Sequence, residues 1–155
     1  MIDFAVRYYG IVVLDVPRGD VSLLESLDSA SGVFVVVNHE LPTVRSAQRL
    51  VSKLRQRYGD RVSVLVNRSD KQAEISIEDI KKAVGAPIRH ILPSDYRVAL
   101  AAANKGEPLA RSNQTKLAAS FHDLVRALTA KTTETEGSTP DAGGFFGWLT
   151  PRRSA

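Results

Sequence analysis

Four short polar segments each begin where an apolar run stops, and they hold the residues of this chain best suited to chemistry. Ile11-Val12-Val13-Leu14 leads into Asp15-Val16-Pro17-Arg18-Gly19, and Val33-Phe34-Val35-Val36-Val37 leads into Asn38-His39-Glu40-Leu41-Pro42. Val62-Ser63-Val64-Leu65-Val66 leads into Asn67-Arg68, and Ile88-Arg89-His90-Ile91-Leu92 into Pro93-Ser94-Asp95-Tyr96. In open α/β sheets, ligands sit outside the carboxyl ends of the strands. Such placement of Asp, Asn, Arg and Pro-led turns points to a nucleotide-type site. An acid in the position of Asp15 can help hold Mg²⁺ and its waters, and Gly19 would let the backbone approach a phosphate. The Asn67 amide offers a donor and an acceptor, a match for the N6 and N7 edge of adenine. Pro93-Ser94-Asp95, opening into a helix N-terminus, can lay backbone groups along a base. Each segment also has a plain structural reading: a turn or cap for Asp15, an Asx-turn for Asn67, a helix start for Pro93 to Tyr96.

Other chemistries find less support. No G-x-x-x-x-G-K-[ST] segment occurs, so the usual phosphate cradle is not encoded in this sequence. There are no cysteines, which removes disulfides and thiolate metal sites and suits a reducing cytoplasm. His39, His90 and His122 fall on separate elements without metal-site spacing, which leaves them packing or surface roles. The formal charge of +4 admits an anionic partner. Arg45, Arg49, Lys53, Arg55 and Arg57 are nevertheless spaced as a solvated helix face, and the aromatics do not interleave with them, so no nucleic acid is expected. Ser76 to Pro87 has the outline of a first helix and turn of a helix-turn-helix, but an apolar run follows it rather than a recognition helix. No apolar run approaches the roughly 18 residues of a membrane span. Met1-Ile2-Asp3 lacks the pattern of a secretory leader.

The elements that must position these segments follow from periodicity. Gly10 to Leu14 is a continuous apolar run, as expected for a strand buried on both faces, and residues 33–37, 62–66 and 88–92 read as three further strands. Val44, Ala47, Leu50, Val51 and Leu54 recur at three and four residues and define a helix that Gly59-Asp60 ends. Val21, Leu23, Leu24 and Leu27 suggest a short helix before the second strand. Ser76-Ile77-Glu78-Asp79 opens a helix with a capping Ser and an acidic first turn, closed by Gly85 and Pro87. Ser94 or Asp95 caps the next helix, which ends at Asn104-Lys105-Gly106, and Leu117, Phe121, Leu124, Val125 and Leu128 give an amphipathic C-terminal helix. Alternating strands and helices with short connections mean an α/β fold, a mostly parallel sheet flanked by helices. At 155 residues one domain is expected, over residues 1–130. Residues 131–155 read as a flexible polar linker and an aromatic, basic tail. Phe145, Phe146, Trp148 and Leu149, followed by Arg152-Arg153, are a candidate for peripheral membrane contact, although Gly147 and Pro151 interrupt any helix.

Taken in order, these segments resemble the MinD/ParA class of P-loop ATPases, and most of all the pilus-assembly ATPases of the tight-adherence (Flp) system, CpaE or TadZ. The resemblance is carried by Ile11 to Arg18, Asn38 to Ala47, Val64 to Arg68, Ile75 to Ile80, Leu92 to Tyr96 and Ala101 to Leu109. It implies a P-loop NTPase fold of MinD type and an ATP- and Mg²⁺-dependent homodimeric switch. That switch would act in Flp/Tad pilus assembly with pilus proteins, in the cytoplasm, at the inner membrane or cell pole. It further implies Asp15 as the Mg²⁺-side switch acid, with no metal ligand assigned directly. Asn67 and Arg68 would flank the adenine, and Pro93, Ser94 and Asp95 would form the other side of the base pocket.

The sequence departs from that pattern at its start. Met1 to Tyr8 reads as the helix before the Walker B strand, so the fold would be incomplete at the N-terminus. The P-loop strand that in the full fold lies between the strand ending at Asp15 and the strand ending at Val37 is absent. A C-terminal part with little or no ATPase activity alone is therefore expected. A chromosome-partitioning or flagellar-placement relative, and a non-catalytic docking or scaffold module, are the alternatives. An unrelated flavodoxin-like domain is a further one.

Overall fold

A computed structural model describes residues 2–17, 27–111 and 114–129. The elements are α1 (Ile2–Tyr8), β1 (Val33–Val37), α2 (Leu41–Tyr58), β2 (Val62–Ser69), α3 (Ile77–Val84), β3 (Ile88–Pro93), α4 (Tyr96–Lys105) and α5 (Lys116–Thr129). Short 3₁₀ turns at Gly59–Arg61 and Leu109–Arg111 join some of them. The three strands form one parallel sheet in the order β1-β2-β3. The expected α/β architecture, a parallel sheet flanked by helices, is what the chain adopts.

Strand alternation builds the core. Val33, Val35 and Val37 of β1 and Val62, Val64 and Val66 of β2 are buried together with Val44, Ala47, Val51 and Leu54 of α2 and Ile80 and Val84 of α3. Val62, Val64, Val66 and Ile80 have no exposed surface. Each such side chain stabilises the fold by about 1.5–3 kcal/mol. α5 lies along β3 and buries Leu117 and Ala118. Helix ends follow the sequence: Ser76 caps α3 in a capping box with Asp79, and Gly85 and Gly106 end α3 and α4 in the left-handed conformation.

One expected strand is not formed. Residues 11–14 carry no strand hydrogen bonds, and Ile11 and Val13 are 66% and 86% exposed. The physical reason is the lack of a neighbour. A strand exists by pairing its backbone, and among the described residues no strand pairs with this run or with the outer edge of β1. Only Val16 from this stretch packs against the core, and α1 buries none of its residues. The expected helix around Val21 to Leu24 and the linker and tail of residues 131–155 lie outside the described residues; Leu27, at the end of that expected helix, is buried in a 3₁₀ turn.

Candidate functional site at the strand ends

β2 continues past Val66 to Ser69, so Asn67 and Arg68 lie within a strand rather than after one. The register gives the reason. Val66 pairs with Ile91 and Ser69 with Pro93, so Asn67 and Arg68 together face the single residue Leu92. This is a β-bulge, a device that re-aims side chains at the end of a sheet. Arg68 has φ of 53°, and it is the one non-glycine residue with positive φ among the described residues. Holding an arginine there costs on the order of 1 kcal/mol. Asn67 Oδ1 accepts the Arg68 N–H at 2.9 Å, which fixes the bulge and the amide plane. That bond gives the amide one side of an Asx-like turn and leaves its NH₂ without a partner among the described residues.

The neighbouring strand ends are bonded to this bulge. The Ser94 N–H donates to Ser69 O at 2.9 Å, which joins the end of β2 to the Pro93-Ser94-Asp95 turn. Asp95 Oδ1 accepts the Val98 N–H at 3.1 Å and so caps α4. From the β1 side, His39 reaches across. Its Nδ1 lies 2.6 Å from Ile75 O and its Nε2 3.2 Å from Ser69 Oγ. A carbonyl oxygen only accepts, so Nδ1 carries the proton, and in that tautomer Nε2 accepts the Ser69 hydroxyl. The ends of β1, β2 and β3 thus form one bonded set centred on Ser69.

The structure therefore brings Asn67, Arg68, Pro93, Ser94 and Asp95 to adjacent strand ends. Asp15 stands apart: it lies on the exposed irregular stretch and makes no hydrogen bond or ion pair with the described residues. His39 and Ser69 were not among the expected site residues, and no sequence signal marks them, since their partners are 30 and 36 positions away. Asn38 Oδ1, at the end of β1, is buried without a hydrogen-bond partner among the described residues.

No group of three or more His, Asp or Glu side chains suited to a metal occurs among the described residues. The clearest shifts of ionisation lie elsewhere. Arg57 and Tyr58 donate to Asp28 at 2.6 and 3.0 Å and hold its carboxyl below the usual range. Burial, then the bond to Asp28, pushes the Tyr58 phenol up. This cluster flanks the amino ends of β1 and β2, opposite the candidate site. An open cleft along α4, between Ala102, Lys105 and Leu109, shares no residue with the strand-end loops.

The septum site-determining protein MinD of Synechocystis is 27% identical over 127 residues, covering 77% of this chain and 47% of that protein. The solved MinD cell division protein of Aquifex aeolicus is 25% identical, with a TM-score of 0.63 over 78% of this chain and 50% of that one. The MinC:MinD cell division protein complex of the same organism contains a chain with the same fold, TM-score 0.71 at 23% identity, covering 91% of this chain and 58% of that one. No family model matches. The chain is a homologue of the MinD/ParA class of P-loop ATPases. It spans about half the length, or less, of the curated relatives it matches.

Proposed function

We propose that this chain supplies the base-binding side of a MinD-like, ATP-dependent switch. The observation that carries the reading is the Asn67–Arg68 bulge bonded to the Ser94 turn. A free amide NH₂ at Asn67 suits adenine N7 and its oxygen retains a lone pair for the N6 amino group. Pro93, Ser94 and Asp95 offer a flat edge on the other side of the base. The residues present fit the base. They do not fit the phosphates: no lysine-bearing glycine loop occurs in the sequence, and Asp15, the candidate Mg²⁺-side acid, lies on an exposed stretch with no bonded neighbour among the described residues.

Nucleotide titration tests the reading. The chain is expected to take adenosine and ATP with similar, weak affinity, because only the base is held. Micromolar ATP binding with Mg²⁺-dependent turnover would overturn the assignment of a base-only half-site.

The narrower placement in Flp/Tad pilus assembly, at the inner membrane or cell pole, rests on the ordered resemblance from Ile11 to Leu109. Homodimerisation and docking of a second protein are proposed by analogy with the MinC:MinD complex. Loss of pili on deletion of the gene, restored by the intact chain but not by an Asn67→Ala form, is the outcome that supports this role.

A further inference from the structure

A strained bulge persists only where its surroundings over-determine it. Upstream, Val66 pairs with Ile91; downstream, Ser69 pairs with Pro93. The loop from Ser69 to Ile75 then leaves the sheet before α3. Within it, the Ala73 and Gln72 N–H groups turn back onto the Asp70 carbonyl and carboxylate. Both ends of this loop meet one imidazole: His39 accepts from Ser69 Oγ and donates to Ile75 O.

We propose that His39 is a positioning residue for the base site: its ring closes the Ser69–Ile75 loop and so fixes the direction of Asn67. The inference rests on the base-binding reading above. Ser69 is two residues from Asn67, and its backbone carbonyl already holds the Ser94 turn. Tying its hydroxyl to β1 leaves the bulge no freedom to slip back into regular pairing. Slippage by one residue would turn Asn67 to the other face of the sheet. His39 need not touch the base to decide whether the base is recognised.

Adenosine and guanosine, which carry no phosphate, are the probes, and backbone amide shifts of the intact chain are the readout. The unaltered chain is expected to shift Asn67, Arg68 and Ser94 with adenosine and to prefer it over guanosine. His39→Ala and Ser69→Ala are each expected to weaken adenosine binding about fivefold to tenfold, the size of a lost hydrogen bond. They should also erase the preference over guanosine, which a loss of stability alone would not do. His39→Gln, whose amide reaches the position of Nε2, is expected to recover most of the preference. Should His39→Ala fail to fold, Ser69→Ala carries the test, because it removes a single hydroxyl. If the unaltered chain binds neither nucleoside, the base-site reading falls and this inference with it. If that chain discriminates and both alanine variants discriminate equally well, the inference alone is overturned.

Discussion

Residues 11–14 and Val33–Val37 are built from nearly the same side chains, and their fates are opposite. The first run is Ile-Val-Val-Leu and the second Val-Phe-Val-Val-Val. The second is a strand whose alternate residues are buried; the first is irregular and open to water. β1 has β2 hydrogen-bonded on one side and α2 packed over one face. Among the described residues, residues 11–14 have neither a paired strand nor a helix packed over them. β-branched side chains fit a pleated, half-buried surface, and without that surface the preference has nothing to act on. The comparison separates what a residue favours from what its neighbours permit.

Paired substitutions give the hardest test. Val64→Asp places an unpaired charge on a β2 position with no exposed surface and is expected to remove more than about 4 kcal/mol, enough to unfold a marginal domain. Val13→Asp, the same change at an 86% exposed position, is expected to stay within about 0.5 kcal/mol. Urea unfolding measures both, and similar losses would break the contrast. Ile80→Ala comes next, with an expected cost of about 2–5 kcal/mol from the cavity left between α2, α3 and the sheet. Local capping should matter less than core burial: Ser76→Ala is expected to cost about 1 kcal/mol by freeing the Asp79 N–H. Smallest is the exposed Asp28 cluster. Its carboxyl is held low by hydrogen bonds from Arg57, then Tyr58, so the stabilisation is present above the ordinary carboxylate pKa of about 4. It is lost as pH falls through the lower folded value, and Asp28→Asn should flatten only that part of an acid unfolding curve.

Much of the body was legible because local signals and burial agree there. Ser76 with Asp79 announced α3 and formed its capping box, and Gly85 and Gly106 took the left-handed ends expected of them. The periodicity of Val44, Ala47, Val51 and Leu54 marked the buried face of α2. Asn67, Arg68 and the Pro93-Ser94-Asp95 turn were legible as residues, but not as a bulge. The bulge depends on the register between β2 and β3, which is a property of the pair. The His39–Ser69 link and the Asp28–Arg57–Tyr58 cluster join positions about 30 apart, where no local pattern can speak. Residues 11–14 misled for the converse reason: their local pattern is correct for a strand, and what is missing is the neighbour.

The outer edge of β1 also governs how the chain must be handled. Among the described residues no strand pairs with that edge of Val33 to Val37, which leaves a row of backbone donors and acceptors with Val36 half exposed beside them. Natural sheets deter extra strands at such edges with lysine, proline or a covering loop, and none of the five residues is charged or proline. Any extended chain can add there, and the newcomer offers a fresh edge in turn. Growth of that kind has no natural stopping point.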